Sequence, residues 1–166
     1  MRTSPDALPP GLARGLRSVY LVTGSEPLLI AEACDAIRAA ARAQQYADRE
    51  VHFLERGFDW NALLADAANL SLFATRRLIE LRIGPTPDAE AQKSLAGLAE
   101  RPPEDTVLLV SGELEYKTLK TAWVKAFEEH GVLVVAQPVE RPALPAWIRD
   151  RLARHGVRIE PAAAEL

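Results

Sequence analysis

A strand, a tight turn and the start of a helix are encoded consecutively by Val19-Tyr20-Leu21-Val22-Thr23-Gly24-Ser25-Glu26-Pro27-Leu28-Leu29. The first residues are β-formers, which favours a buried strand, and Gly24 closes it. Ser25 is expected to cap the helix, with Pro27 in its first turn, where a missing N–H has no cost. The apolar residues that follow recur at helical spacing, so a helix is predicted from Leu28 to Gln44.

The same alternation of strand and helix continues to Ala136. Short runs of β-formers predict strands at Val19–Thr23, Val51–Leu54, Arg77–Ile83, Thr106–Val110 and Val132–Val135. Helical patterns lie between them, starting at Leu28, Asp59, Asp88 and Tyr116. This order is typical of an α/β fold, here a five-stranded, mainly parallel sheet with helices on both faces.

The pattern predicts three parts of the chain. Residues 1–17 are rich in proline and glycine and are expected to form an irregular lead-in, with or without a short helical turn. Residues 18–140 form the α/β domain. Residues 141–166 begin with closely spaced prolines and a helix predicted at Trp147–His155, and they are too few to bury a core of their own. They are interpreted as the start of a small helical domain.

Composition excludes several classes of protein. The chain has 166 residues, of which 48% are apolar and 26% charged, which is the balance of a soluble globular protein. No apolar run approaches the ~20 residues that span a bilayer, and Met1 to Leu16 has no secretion signal. The lone Cys34 excludes an internal disulfide and suits a reducing cytoplasm. The net charge of -3 argues against strong binding of DNA by this chain alone.

The turn after the first strand lacks the parts of a phosphate-binding loop. Such a loop needs several glycines, a lysine for the terminal phosphates and a hydroxyl for magnesium. This turn has one glycine and no lysine, Glu26 adds negative charge, and Pro27 has no N–H to donate. The sequence therefore argues against ATP binding here, and no cofactor, metal site or catalytic residue is predicted. Cys34 and the three histidines are interpreted as structural residues.

The segment Asn69-Leu70-Ser71-Leu72-Phe73-Ala74-Thr75-Arg76-Arg77 carries the strongest functional signal. Leu72 and Phe73 fall in a connection between helix and strand, where large apolar residues are scarce. Either they fold back onto the core, or they form an exposed wedge that enters a pocket on a partner. Arg76 and Arg77 either pair with acidic groups of that partner or are solvated residues at a strand end.

Several segments together resemble the delta-subunit family of the bacterial DNA polymerase III clamp loader. They are residues 19–29, Asp59-Trp60, residues 71–81, Ala122-Trp123-Val124-Lys125-Ala126-Phe127 and Leu144-Pro145-Ala146-Trp147-Ile148. Their order and spacing across residues 17–160 make the resemblance specific.

The resemblance implies an AAA+-like domain that has lost its ATP site, then the start of a helical lid domain, in a chain that is an N-terminal fragment without the collar domain. It implies that Leu72 and Phe73 bind the sliding clamp and help to open its ring for loading onto primed DNA. Asn69, Leu70 and Ser71 would complete a clamp-binding pentapeptide, whose first position is more often Gln.

The implied partners are the sliding clamp (the beta subunit) and the other loader subunits, delta-prime and gamma/tau. The chain would act without catalysis of its own, inside a DNA polymerase holoenzyme at the cytoplasmic, nucleoid-associated replisome. Two alternatives remain open at this point. One is a nucleotide-binding enzyme with a divergent phosphate loop. The other is a DNA-binding module that uses Arg38 and Arg42 on the first helix and Arg149, Arg151 and Arg154 on the last, although solvated helix faces are the favoured interpretation.

Overall fold

The computed structural model describes residues 1–69, 76–154 and 156–158, without the side chains of residues 66–69 and 154. The chain divides into two compact units, Met1–Ala136 and Gln137–Leu166. The first unit contains the sheet and the helices that cover it.

The sheet has six strands, and every neighbouring pair is parallel. The strands are β1 (Arg2–Thr3), β2 (Val19–Gly24), β3 (Asp48–Phe53), β4 (Arg77–Arg82), β5 (Thr106–Gly112) and β6 (Val132–Ala136), in the order β1-β6-β2-β5-β4-β3. The prediction of a parallel α/β sheet is confirmed, with one strand more than expected. The extra strand, β1, has only two residues, so it offers no apolar pattern from which it could be predicted.

Helices cover both faces of this sheet. They are α1 (Leu8–Arg14), α2 (Pro27–Ala43), α3 (Trp60–Asn69), α4 (Ala89–Glu100) and α5 (Ala122–His130). One apolar cluster joins α1 and α2 to alternate residues of the strands, among them Tyr20, Val22 and Leu109. The other cluster joins α3, α4 and α5 to the intervening residues, among them Leu21 and Leu108. The period-two alternation of strand side chains therefore supplies two separate layers of core.

The lead-in is ordered, which corrects the prediction of an irregular segment at 1–17. Strand β1 pairs with β6, and α1 buries Leu8 and Leu12 in the same apolar cluster as Tyr20. The prolines do not prevent this helix because they lie in its first turn, where no intrahelical N–H donor is needed. Two leucines four residues apart then face the sheet together.

The observed helix starts agree in part with those predicted from the sequence. Asp59 and Asp88 cap α3 and α4, since their carboxylates accept hydrogen bonds from Ala62 N at 2.9 Å and Ala91 N at 2.8 Å. Ser25 does not cap α2. The capping position is Glu26, which makes no side-chain capping bond, and Pro27 is the first helical residue.

The helix predicted to start at Tyr116 is interrupted. A 3₁₀ turn at Thr118–Lys120 comes first, and α5 begins at Ala122.

The second unit contains a 3₁₀ turn at Arg141–Ala143 and helix α6, Leu144–Arg154. This helix begins three residues before the predicted Trp147, because Pro145 is tolerated in a first turn. On it, the Arg151 guanidinium lies 4.6 Å from the centre of the Trp147 ring. Among the helices of the described residues, none is long and apolar enough to cross a membrane.

Candidate functional site

Because the strands of the sheet are parallel, all strand ends lie on one side of the domain and all strand starts lie on the opposite side. All strands run in one direction, so Gly24, Phe53, Arg82, Gly112 and Ala136 end at one edge, which we call the carboxyl edge. The opposite, amino edge holds the strand starts and the connections that lead into them. Ligands of open α/β sheets usually bind at the carboxyl edge, whereas the connection with Leu72 and Phe73 leads into β4 at the amino edge.

The turn at the carboxyl edge of β2 is closed by its neighbour β6. Gly24 has a φ of 149°, and a Cβ at this position would overlap the carbonyl group of Ala136. The next amide, Ser25 N, donates to that same carbonyl oxygen at 3.0 Å. Pro27 has no amide proton. Two donors that a phosphate loop would use at this turn are thus bonded to β6 or missing.

Other reactive groups give no sign of a catalytic centre in the described part of the chain. No group of three or more His, Cys, Asp or Glu side chains is placed there to hold a metal ion. Cys34 lies on the buried face of α2, and burial raises the pKa of its thiol to about 11. The thiol is therefore protonated at neutral pH and is a poor nucleophile.

Most of the predicted clamp-binding residues lie in the segment 70–75, which is outside the described residues. Leu70, Ser71, Leu72 and Phe73 lie outside the described residues. Asn69 is the last residue of α3, described by its backbone alone. The structure therefore fixes the two ends of this connection, at Asn69 and Arg76.

Arg76 is exposed and contacts the loops on both sides of β4. Its Nη1 donates to Gln44 O at 3.2 Å, and its guanidinium lies 5.6 Å from the centre of the Tyr46 ring. Its Nε lies 3.7 Å from Asp105 Oδ1. These partners belong to the α2–β3 and α4–β5 connections, which flank the start of β4 at the amino edge.

Arg77 is buried, so the interpretation of a solvated strand end is wrong for this residue. It is the first residue of β4, between β3 and β5, and only 3% of its surface is exposed. Its Nη1 lies 3.3 Å from Glu50 Oε1 on β3. A central strand has no solvated end here, and the neighbouring carboxylate compensates the buried charge.

A buried ion-pair cluster around Glu80 was not predicted. Glu80 lies on β4 with 2% of its side chain exposed, and both of its oxygens accept hydrogen bonds from Arg38 on α2 and Arg49 on β3. The four distances lie between 2.6 and 3.2 Å. Burial raises the pKa of Glu80, but the hydrogen bonds and the positive charges of Arg49 and Arg38 together lower it by more, so the net pKa lies below its ordinary value.

The Glu80 cluster changes the interpretation of Arg38. This arginine was expected on a solvated helix face or against a phosphate backbone, yet its side chain is only 17% exposed and is held by Glu80 and Asp35. The sequence contained one sign of this cluster, namely the carboxylate of Glu80 inside the apolar run Leu78-Ile79-Glu80-Leu81. A charge buried in such a run requires a partner of opposite charge.

Together, the six parallel strands and the two helical layers define a parallel α/β domain in which the turn after β2 has no phosphate-loop sequence. The family model for DNA polymerase III, delta subunit, matches residues 20–137. The chain belongs to the DNA polymerase III delta-subunit family.

Known proteins agree with this assignment. The chain is 31% identical to the DNA polymerase III subunit delta of Escherichia coli, over 100% of this chain and 49% of the relative. It is 27% identical to the protein of the same name from Haemophilus influenzae, over 94% of this chain and 46% of that one. A solved structure of the Bacillus subtilis DNA clamp loader delta protein superposes with a TM-score of 0.72 at 19% identity, over 97% of this chain and 50% of that one. The chain thus spans about half the length of these relatives.

Proposed function

We propose that this chain binds the sliding clamp through Leu72 and Phe73, with Asn69, Leu70 and Ser71 beside them, and that this binding helps to open the ring. Family membership supports the role in clamp loading, and a solved relative is named as a DNA clamp loader delta protein. The observation that carries the proposal is the position of the connection. It leads from α3 into β4 at the amino edge, across the sheet from the closed turn at Gly24.

Binding through two apolar side chains can supply the necessary free energy. Burying a Leu and a Phe contributes ~1.5–3 kcal/mol each, which is typical of residues that dominate an interface. To open a ring, the chain must also bind the open clamp more tightly than the closed one, since a ligand shifts an equilibrium only by its difference in affinity. The work is therefore mechanical, and no bond is made or broken by this chain.

In this proposal, ATP is bound by other subunits of the clamp loader and not by this chain. Ser25 N is bonded to Ala136 O, Pro27 has no N–H, and Glu26 adds negative charge, so the turn after β2 lacks features that a phosphate loop needs. This geometry disfavours the alternative of a nucleotide-binding enzyme. Calorimetric titration with Mg-ATP is expected to give no heat of binding, and a saturable heat would revive the enzyme alternative. Partners beyond the clamp, namely delta-prime and gamma/tau, are proposed from the family alone.

The test is the affinity of this chain for the clamp, compared between wild type and Leu72→Ala/Phe73→Ala. We expect the double variant to bind more weakly by on the order of a hundredfold or more, because the anchor's apolar contact is removed. Leu28→Ala/Phe53→Ala is the matched control. Its two residues are also an exposed Leu and an exposed Phe, at 55% and 59%, but they lie at the carboxyl edge. Equal affinity of wild type and the Leu72/Phe73 variant would exclude the proposed binding site.

A further inference from the structure

We propose that a cavity between α1 and the amino edge of the sheet binds a small carboxylate that has an apolar body. The cavity has a volume of about 330 Å³, and ligand pockets commonly measure ~300–1,000 Å³. Its lining comes from residues 1–20 and from Val132 at the start of β6, all in the first compact unit. The inference concerns other residues than the proposed clamp-binding site and does not depend on it.

The cavity exists because α1 lacks a side chain on the face that it turns towards the sheet. Leu8, Gly11 and Leu12 share this face, since residues three and four positions apart are neighbours on a helix. The two leucines are buried, whereas Gly11 lines the cavity. A Cβ at Gly11 would meet no atom within 4 Å beyond its own helix. The apolar face of α1 is thus incomplete at the cavity.

The conformation of α1 does not require glycine at position 11. Gly11 lies inside the helix and is absent from the residues with positive φ. No neighbouring element approaches it closely enough to exclude a methyl group. Glycine inside a helix is less favourable than alanine. Gly11 therefore lowers the stability of the helix, and what it provides is room in the cavity.

Tyr20 provides a hydrogen-bond donor on the cavity wall. Its side chain is buried, and its hydroxyl oxygen accepts a hydrogen bond from Arg17 N at 2.8 Å. Burial raises the pKa of the Tyr20 phenol, so the phenol is protonated at neutral pH. Within the part of the chain that the structure describes, the hydroxyl proton has no acceptor. An oxygen atom of a ligand in the cavity would supply that acceptor.

The charged side chains that line the cavity are cationic. They belong to Arg14 and Arg17, and the lining contains no Asp or Glu. Both arginines are exposed, and neither forms an ion pair with a described residue. Apolar side chains, among them Leu12 and Leu16, make up much of the remaining wall. Apolar walls beside two cations fit an organic anion, and a carboxylate accepts hydrogen bonds from both a phenol and a guanidinium.

The first experiment uses benzoate as the probe. It is titrated into the isotope-labelled chain while the amide resonances of Gly11 and Gly15, which both line the cavity, are followed by NMR. We expect saturable shifts with a dissociation constant on the order of 1 mM, which a ligand of this size commonly reaches. Benzyl alcohol has the same ring without the charge and should bind at least about fivefold more weakly. Absence of saturable shifts would overturn the site, and equal affinity for the two probes would overturn the assignment of a carboxylate.

Gly11→Leu fills the cavity, and Gly97→Leu is the matched control. Gly97 also lies inside a helix, α4, and also has open space beside its Cα. We expect Gly11→Leu to weaken binding of benzoate at least about tenfold, and Gly97→Leu to bind it as wild type does. Both urea midpoints should stay at or above that of wild type, because leucine is the better helix former.

Either of two results for Gly11→Leu would overturn the inference. A variant less stable than wild type would show that the space beside Gly11 is filled. A stable variant that binds benzoate normally would show that the ligand lies elsewhere.

Two further variants test the polar groups of the site. Tyr20→Phe removes the phenol donor and keeps the ring, so benzoate should bind about fivefold more weakly. Arg14→Gln/Arg17→Gln removes the cations, so this variant should bind benzoate and benzyl alcohol about equally. Undiminished binding of benzoate by Tyr20→Phe would exclude the phenol as donor, and an undiminished preference for benzoate in the double variant would exclude the arginines.

Discussion

At the scale of single residues, Gly24 connects strand β2 to the closed turn. Its backbone has a φ of 149°, which side-chain-bearing residues rarely adopt, and the space beside its Cα is filled by the backbone of Ala136. This glycine, which in a phosphate loop would leave room for an anion, instead allows β6 to approach closely. The turn is therefore tightly packed as a structural element.

A Gly24→Ala substitution should destabilise the domain by about 2 kcal/mol or more, because the methyl group meets backbone that cannot rotate away. Gly97→Ala is the control with the opposite sign. Gly97 lies inside α4, and a methyl group there would meet nothing within 4 Å beyond its own helix, so alanine should stabilise by about 0.5–1 kcal/mol through helix propensity. Urea unfolding of the three proteins measures both effects. Equal stabilities of Gly24→Ala and wild type would contradict the close contact with β6.

At the scale of elements, Glu80 joins α2, β3 and β4 through Arg38 and Arg49. Strand β3 is at the edge of the sheet, and all six of its residues are partly or fully exposed. The salt bridges hold this strand and α2 to β4, the strand that the 70–75 connection enters. Ionic contacts thus help to hold an edge strand that has no fully buried residue.

Glu80→Gln should lower the free energy of unfolding at neutral pH by about 2 kcal/mol or more, because two arginines lose their carboxylate. The pKa of Glu80 is depressed in the folded protein, so its contribution is present above the ordinary value of 4.5 and is lost as the pH falls through the folded pKa. The difference between wild type and Glu80→Gln is therefore expected to be largest above pH 4.5 and to shrink below it. The exposed Glu129→Gln serves as the control. A difference that stays constant from pH 7 to pH 3 would contradict the ion-pair account.

The elements themselves were largely predictable because their signals are local. Five strands appeared as short apolar runs, and Asp59 and Asp88 marked two helix starts. The short strand β1 and the burial of Arg77 were not predictable, since both depend on which strands become neighbours. The three-way contact at Glu80 likewise joins residues up to 42 positions apart, a distance that no local pattern reports.

At the scale of the whole molecule, the proposed function depends on a division between two edges. The carboxyl edge has a closed turn, and the amino edge carries the connection that we propose as the clamp-binding site. The sequence predicted this connection from two large apolar residues outside a helix face. Leu72 and Phe73 lie outside the described residues, so their role is a matter for binding experiments.

The most direct test compares the affinity of this chain for the closed clamp and for a clamp whose ring interface has been opened by mutation. The account predicts tighter binding to the opened clamp, and loss of binding to both forms for Leu72→Ala/Phe73→Ala, because one anchor serves both forms and only the open form relieves ring closure. Equal affinity of the wild-type chain for the two forms, or undiminished binding by the Leu72/Phe73 variant, would contradict it.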